Sequence, residues 1–143
     1  MDASQQVAEY FEALIERCNR DPSARPTNLP KNDQIVYYVI STRCEMDING
    51  FDSVFDQLLT EPELQFLIDS LNELGALRLA DLFHRAHSRL QHAGFFDDES
   101  TLVEDLDQGD TEFLHDIEEE IRNNDSLWEL DDRLAELIPN AAK

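Results

Sequence analysis

At 143 residues with 41% hydrophobic content, the chain is long enough to bury one real core and short enough to expect a single domain. Its formal net charge of −21, from 32 Asp and Glu against 11 Lys and Arg, argues against direct binding to nucleic acid phosphates or anionic membranes and makes a basic protein the natural partner. No apolar run nears the ~18 residues of a membrane span and residues 1–6 lack a signal-peptide pattern, so a soluble, cytoplasmic protein is expected.

The predicted elements are helices almost throughout. Val7, Tyr10, Phe11, Leu14, Ile15 and Cys18 recur at three- and four-residue steps, which is one apolar helix face ending near Asn19. Pro22, Pro26 and Pro30 make residues 21–30 an extended connection. Residues 35–47 are ambiguous: IVYYVI suits a buried strand, yet Ile35, Val39, Thr42, Arg43 and Met46 continue a helical period. With no partner strand visible elsewhere, helix is favoured. Asn49-Gly50 signals a turn, and Phe51, Phe55, Leu58 and Leu59 form a short helical patch. Thr60 with Glu63, and Pro62 in the first turn, open a helix through Leu71 that Gly75 closes. Another runs from Ala76 to about His92, with Leu79, Leu82, Phe83, Ala86 and Leu90 on one face and Gly94 after it. A loop over 97–109 follows. Asp110 is placed to cap the next helix, whose apolar positions are Phe113, Leu114, Ile117 and Ile121. Ser126 and Glu129 form a capping box for a last helix along Leu127, Leu130, Leu134, Leu137 and Ile138, stopped by Pro139. The fold expected is an all-α, single-domain bundle of about six to seven helices.

The charge is not spread evenly. Residues 97–143 hold 17 Asp and Glu against three Lys and Arg, a net of −14, so two thirds of the excess sits in the last third of the chain. Adaptation to a salty cytoplasm also favours Asp over Lys, but it should distribute acid over the whole surface. At ~100° per residue, Asp125, Glu129, Asp132 and Glu136 fall on one side of a helix, one carboxylate per turn and opposite the leucines. Glu112, Asp116 and Glu119 form a second row, and Glu9, Glu12 and Glu16 a third. Amphipathic helices must present something polar to water, so any single row has an ordinary explanation. Like charges one turn apart cost a few tenths of a kcal/mol each, roughly, and three rows together therefore point to a partner. The residues proposed to meet it are Glu112, Asp116, Glu119, Asp125, Glu129, Asp132 and Glu136.

Other constellations carry less. Arg78, Arg85, Arg89 and His92 share a face and suit an internal counter-stripe paired with acids of a neighbouring helix. His84 and His87, three apart and expected to face solvent, could present nitrogens to a metal but lack an HExxH arrangement. Asp105, Asp107, Gly109, Asp110 and Asp116 approach a calcium loop, with the glycine one place early and Asp in place of the final Glu. Cys18 and Cys44, far apart and outside any CxxC spacing, read as reduced core thiols. No nucleophile elbow or phosphate-binding glycine loop is present, so no enzyme, metal or cofactor is expected.

The segment Glu45 to Phe55 (EMDINGFDSVF) carries a Glu, a Gly-Phe pair five residues on and a Phe four further. In Glu45, Gly50, Phe51 and Phe55 it resembles the bacterial DNA-mimic protein family, whose domain is otherwise of unknown function. It departs from that pattern at Asn49, where the family prefers a second Gly, and at Ser53, where it prefers Gln. Leu74-Gly75-Ala76, with Ala80 and Ala86 after it, resembles the family's second motif. The resemblance covers about residues 30–95, and the acidic part from 97 to 143 is similar in character only. It implies an all-helical, non-enzymatic protein that occupies the DNA-contacting surface of a transcriptional regulator. The motif residues themselves read as structural: Gly50 for the turn, Phe51 and Phe55 for the core, Gly75 for a cap, and Glu45 for capping backbone amides. Two alternatives stay open, an immunity or adaptor protein that neutralises a basic toxin and an acidic helical domain whose charge serves solubility or salt adaptation. A monomer and a homodimer are equally compatible with the sequence.

Overall fold

The computed structural model describes residues 2–21, 25–124 and 127–139, and among these there is no strand. Helix α1 (Ala3–Arg20) opens on Asp2, whose carboxylate accepts from the Gln5 N–H at 2.8 Å. A single 3-10 turn, Pro26–Asn28, leads into α2 (Lys31–Asn49). The segment that could be read as a strand is thus helical. Ile35, Val36, Tyr38, Val39, Ile40, Thr42, Arg43 and Met46 are all buried, because α1, α3, α4 and the turn at 127–130 pack around it. A helix covered on most sides has no polar face to display, which removes the 3.6-residue alternation from its sequence.

Gly50 ends α2 at φ +93°, a conformation that costs other residues a Cβ clash, and its N–H bonds the carbonyls of Glu45 and Met46. The short patch after it divides into α3 (Phe51–Ser53) and a π-turn, Val54–Leu58, closed by Leu59 N–H to Val54 O at 2.9 Å. Phe51 stacks edge-on against Phe55 with centroids 5.0 Å apart and lies 5.7 Å from Phe83, so the motif aromatics are core residues. Helix α4 (Glu61–Glu73) begins with the expected capping box: Glu63 Oε1 accepts from Thr60 N–H at 2.9 Å, and Thr60 Oγ1 accepts from Glu63 N–H at 3.4 Å. The three-residue connection through Gly75 turns the chain into α5 (Leu77–His92). Cys18 and Cys44 are free, half-buried thiols.

Two further 3-10 turns, Phe95–Asp97 and Val103–Asp105, precede α6 (Gln108–Asn124). Asp110 does not cap that helix. The first carbonyl of the helix is that of Asp107, which accepts from Thr111 N–H, and Asp110 lies one turn in with its carboxylate committed to Arg89. The last stretch is not one helix either. A 3-10 turn, Leu127–Leu130, passes into a short α7 (Asp131–Ala135), and the bonds beyond it, Leu137 N–H to Leu134 O and Ile138 N–H to Ala135 O, are again three-residue bonds. Ser126 of the expected capping box lies outside the described residues. Leu127, Leu130, Leu134 and Ile138 are buried as their spacing predicts, and α7 packs on α1 across most of the chain length.

Candidate acidic docking surface

Helix α6 sorts its charges by direction. Its apolar face buries Leu114, Ile117 and Ile121 against α5 and α3. On the flank nearest α5, Glu120 receives Arg78 at 2.7 Å and Asp110 receives Arg89 at 2.5 Å, while the Arg89 guanidinium lies 4.7 Å from the centroid of Phe113. The α5 arginines therefore form the internal counter-stripe for which their spacing is suited, except that Arg85 turns back to Asp81 of its own helix. On the other flank, Glu118 takes Arg122 at 2.9 Å and accepts from the Phe51 N–H, and Arg122 also donates to the Met46 carbonyl. What is left on the outer face is the row Glu112, Asp116 and Glu119. All three are exposed; Glu112 accepts from Gln108, Glu119 faces His115 at 3.3 Å, and Asp116 has no hydrogen-bond or ion-pair partner among the described residues.

The row on the last segment has a different geometry from the one its sequence suggests. Glu129 sits in the 3-10 turn, Asp132 in α7 and Glu136 just past its end, so the steps between them are not those of one regular helix. All three are exposed, and Asp125 lies outside the described residues. Asp131, which no row includes, turns inward to Arg43 at 2.6 Å, where the arginine side chain is 5% exposed. Arg133 spans back to the α4 terminus and donates to the Leu74 carbonyl at 2.8 Å, supplying a donor to one of the helix's orphan acceptors. The row on α1, Glu9, Glu12 and Glu16, is exposed on a helix that packs directly on α7.

A second group of carboxylates borders α6 on the α3 side. Asp52, an exposed residue whose carboxylate is partly desolvated by its surroundings, is raised above its ordinary pKa by that desolvation first, then by the charges of Asp56 and Glu118, with His115 partly offsetting them. Asp56 is raised by burial as well, against the Val103 N–H that it accepts at 2.9 Å, and Glu104 and Asp105 push it further. The sequence rows leave out both residues because α3 and the π-turn are too short to show a periodic polar face.

Two expectations about individual side chains need correction. His87 does not face solvent: it is buried, its Nε2 lies 2.8 Å from Glu61 Oε2, and its ring meets Phe96 edge-on. It occupies the edge of the α5 apolar face, four residues after Phe83 and three before Leu90. His84 is exposed, and among the described residues no group of three or more His, Cys, Asp or Glu is placed to hold a metal ion. The aspartates of the near-calcium loop are likewise dispersed, Asp105 onto the Leu102 N–H and Asp110 onto Arg89. Among the described residues Glu45 caps no backbone amide; its Oε2 accepts from Asn49 Nδ2 and Ser53 Oγ, both at 2.7 Å. The two departures from the family motif are thus the two partners of the motif glutamate.

The model of the DMP19-like protein family matches residues 27–141. The chain belongs to the DMP19-like family. Helices α2 through α7 all lie within the matched span, so the motif glutamate, its turn and the α6 row belong to the family domain, while α1 and its acidic row precede it. No curated protein and no solved structure matches the chain. Among the described residues no helix is long and apolar enough to cross a membrane.

Proposed function

We propose that this DMP19-like protein is an acidic, non-enzymatic binding protein that acts as a DNA mimic: it sequesters a basic, DNA-binding transcriptional regulator by occupying the surface with which that regulator grips phosphates. The outer face of α6 carries the reading. Arginines neutralise both flanks of the helix from within, yet among the described residues no base other than His115 meets Glu112, Asp116 and Glu119. A surface kept uncompensated while bases are spent a few ångströms away suits an external cation. Successive carboxylates stand one helical turn apart, ~5.4 Å, and phosphates on one DNA strand advance ~3.4 Å per nucleotide, so a phosphate-binding arginine or lysine meets anions at comparable spacing. Family membership supports the same reading, since the motif that the chain shares belongs to DNA mimics. Glu129, Asp132 and Glu136, and the row Glu9, Glu12 and Glu16 on α1, would extend the anionic surface.

The experiment is affinity capture by the immobilised protein at ~0.1 M salt, where screening over contact distances is incomplete. A basic DNA-binding protein that elutes as salt rises, and is lost from the Asp116→Lys/Glu119→Lys and Asp132→Lys/Glu136→Lys variants, is the expected result. Recovery of no basic or DNA-binding protein overturns the proposal.

A further inference from the structure

Between the π-turn, the start of α4 and residues 95–101 lies a cleft of about 480 Å³ whose lining contains no Lys or Arg. Phe55, Leu58 and Phe96 contribute apolar wall, and Asp56, Glu61, Asp98 and Glu99 contribute carboxylates. Three of the carboxylates are fixed through one oxygen. Asp56 Oδ1 accepts from Val103 N–H, Glu61 Oε2 from His87 and Gln91, and Asp98 Oδ1 from the Ser100 N–H and hydroxyl. Among the described residues no protein donor reaches the second oxygen of any of them. Held acceptors of this kind lose little side-chain entropy when a donor arrives. The π-turn supplies the geometry, because its wider backbone loop sets Asp56 and Leu58 on the cleft wall.

We infer that this cleft receives an arginine side chain from the basic partner, as an anchor distinct from the exposed carboxylate rows; the inference rests on the partner reading above. A guanidinium is planar, weakly hydrated and carries five donors, so it can lie on the Phe96 wall while its edge donates to the open carboxylate oxygens. An ammonium suits the site less, since its compact, strongly hydrated charge gains little from an aromatic wall. An anion is disfavoured even though the cleft touches the N-terminus of α4: Glu61 and Glu63 already occupy that end, and Pro62 has no N–H to offer.

The test is titration of the whole protein with N-acetylarginine methylamide, followed residue by residue through amide chemical shifts, with N-acetyllysine methylamide as comparator. Saturable shifts confined to residues 55–62 and 95–101 are expected, with lysine binding more weakly. Glu61→Gln/Asp98→Asn keeps acceptors for the internal bonds while removing two charges, and should weaken arginine binding about tenfold. Glu99→Gln, at an exposed position that folding does not need, should weaken it severalfold. Shifts spread over the α1 and α6 carboxylates without saturation at the cleft, or unchanged affinity in both variants, would overturn the inference. Either result leaves the capture experiment untouched, and a failed capture with a saturable cleft would remove the regulator reading alone.

Discussion

Around α2 a carboxylate has company. Asp33 accepts from the Tyr10 hydroxyl at 2.6 Å and lies 3.7 Å from Arg17, Asp131 holds the buried Arg43, and Glu45 takes Asn49 and Ser53. On the outer face of α6, Asp116 has no partner among the described residues, and Glu119 has one exposed histidine. The contrast separates two uses of one residue type. Acids near the core accept from donors that are largely shut off from water, and their removal takes that acceptor away. Acids on the α6 surface satisfy nothing inside the molecule, so their removal should leave the fold unharmed.

That difference can be broken or sharpened by substitution. The largest effect is expected for Asp131→Ala, which takes the carboxylate away from an almost fully buried guanidinium and should cost about 3 kcal/mol in a urea melt. A loss below about 1 kcal/mol would show that Arg43 is not held by this pair. Thr60→Ala removes half of the α4 capping box and should cost about 1 kcal/mol, read from the same melt. Asp52→Asn should act in the opposite direction. A carboxyl whose folded-state pKa is raised contributes stability below the ordinary carboxylate pKa and loses it as pH rises through the raised value. Neutralising it should therefore raise the melting temperature near neutral pH, and the gain should fade on acidification; a gain independent of pH would assign the effect to something other than charge. The smallest change in stability, within about 0.5 kcal/mol, is expected for Asp116→Lys/Glu119→Lys, together with loss of partner capture. Unfolding of that variant would mean that the outer row serves the fold.

The helices with one wet face were legible in the sequence. The stripes of α4, α5 and α6 match buried residues apart from half-buried Phe113, that of α1 buries Val7 and Leu14 and half-buries the rest, and the Thr60 box and the glycine stops at Gly50, Gly75 and Gly94 stand where their chemistry places them. Helix α2 left strand and helix in competition because it is surrounded. The last segment misled for another reason: its apolar spacing is equally compatible with an α-helix and with alternating 3-10 and α turns, and only the positions of the carboxylates differ between them. Three polar residues inside the molecule share one signature. Arg43 follows Val39 by four and precedes Met46 by three, His87 stands so between Phe83 and Leu90, and Asp131 between Leu127 and Leu134. A titratable residue in phase with buried apolar neighbours on both sides is turned inward, and it requires a partner. Arg43 already reads as a member of its stripe; reading His87 and Asp131 as breaks in theirs hides the pairs His87–Glu61 and Asp131–Arg43. The cleft was beyond periodic reading, since three separate short segments build it.

The packing of α1 on α7 also bears on how the molecule assembles. Most neighbouring helices are close in sequence, and their turns can form early at little loop-closure cost, but this pair must close a loop of over a hundred residues. Both partners carry exposed carboxylates, so the closing step also works against repulsion between like charges. Higher ionic strength should therefore favour the docking of α1 on α7, an effect that amide hydrogen exchange in α1 at low and high salt would read.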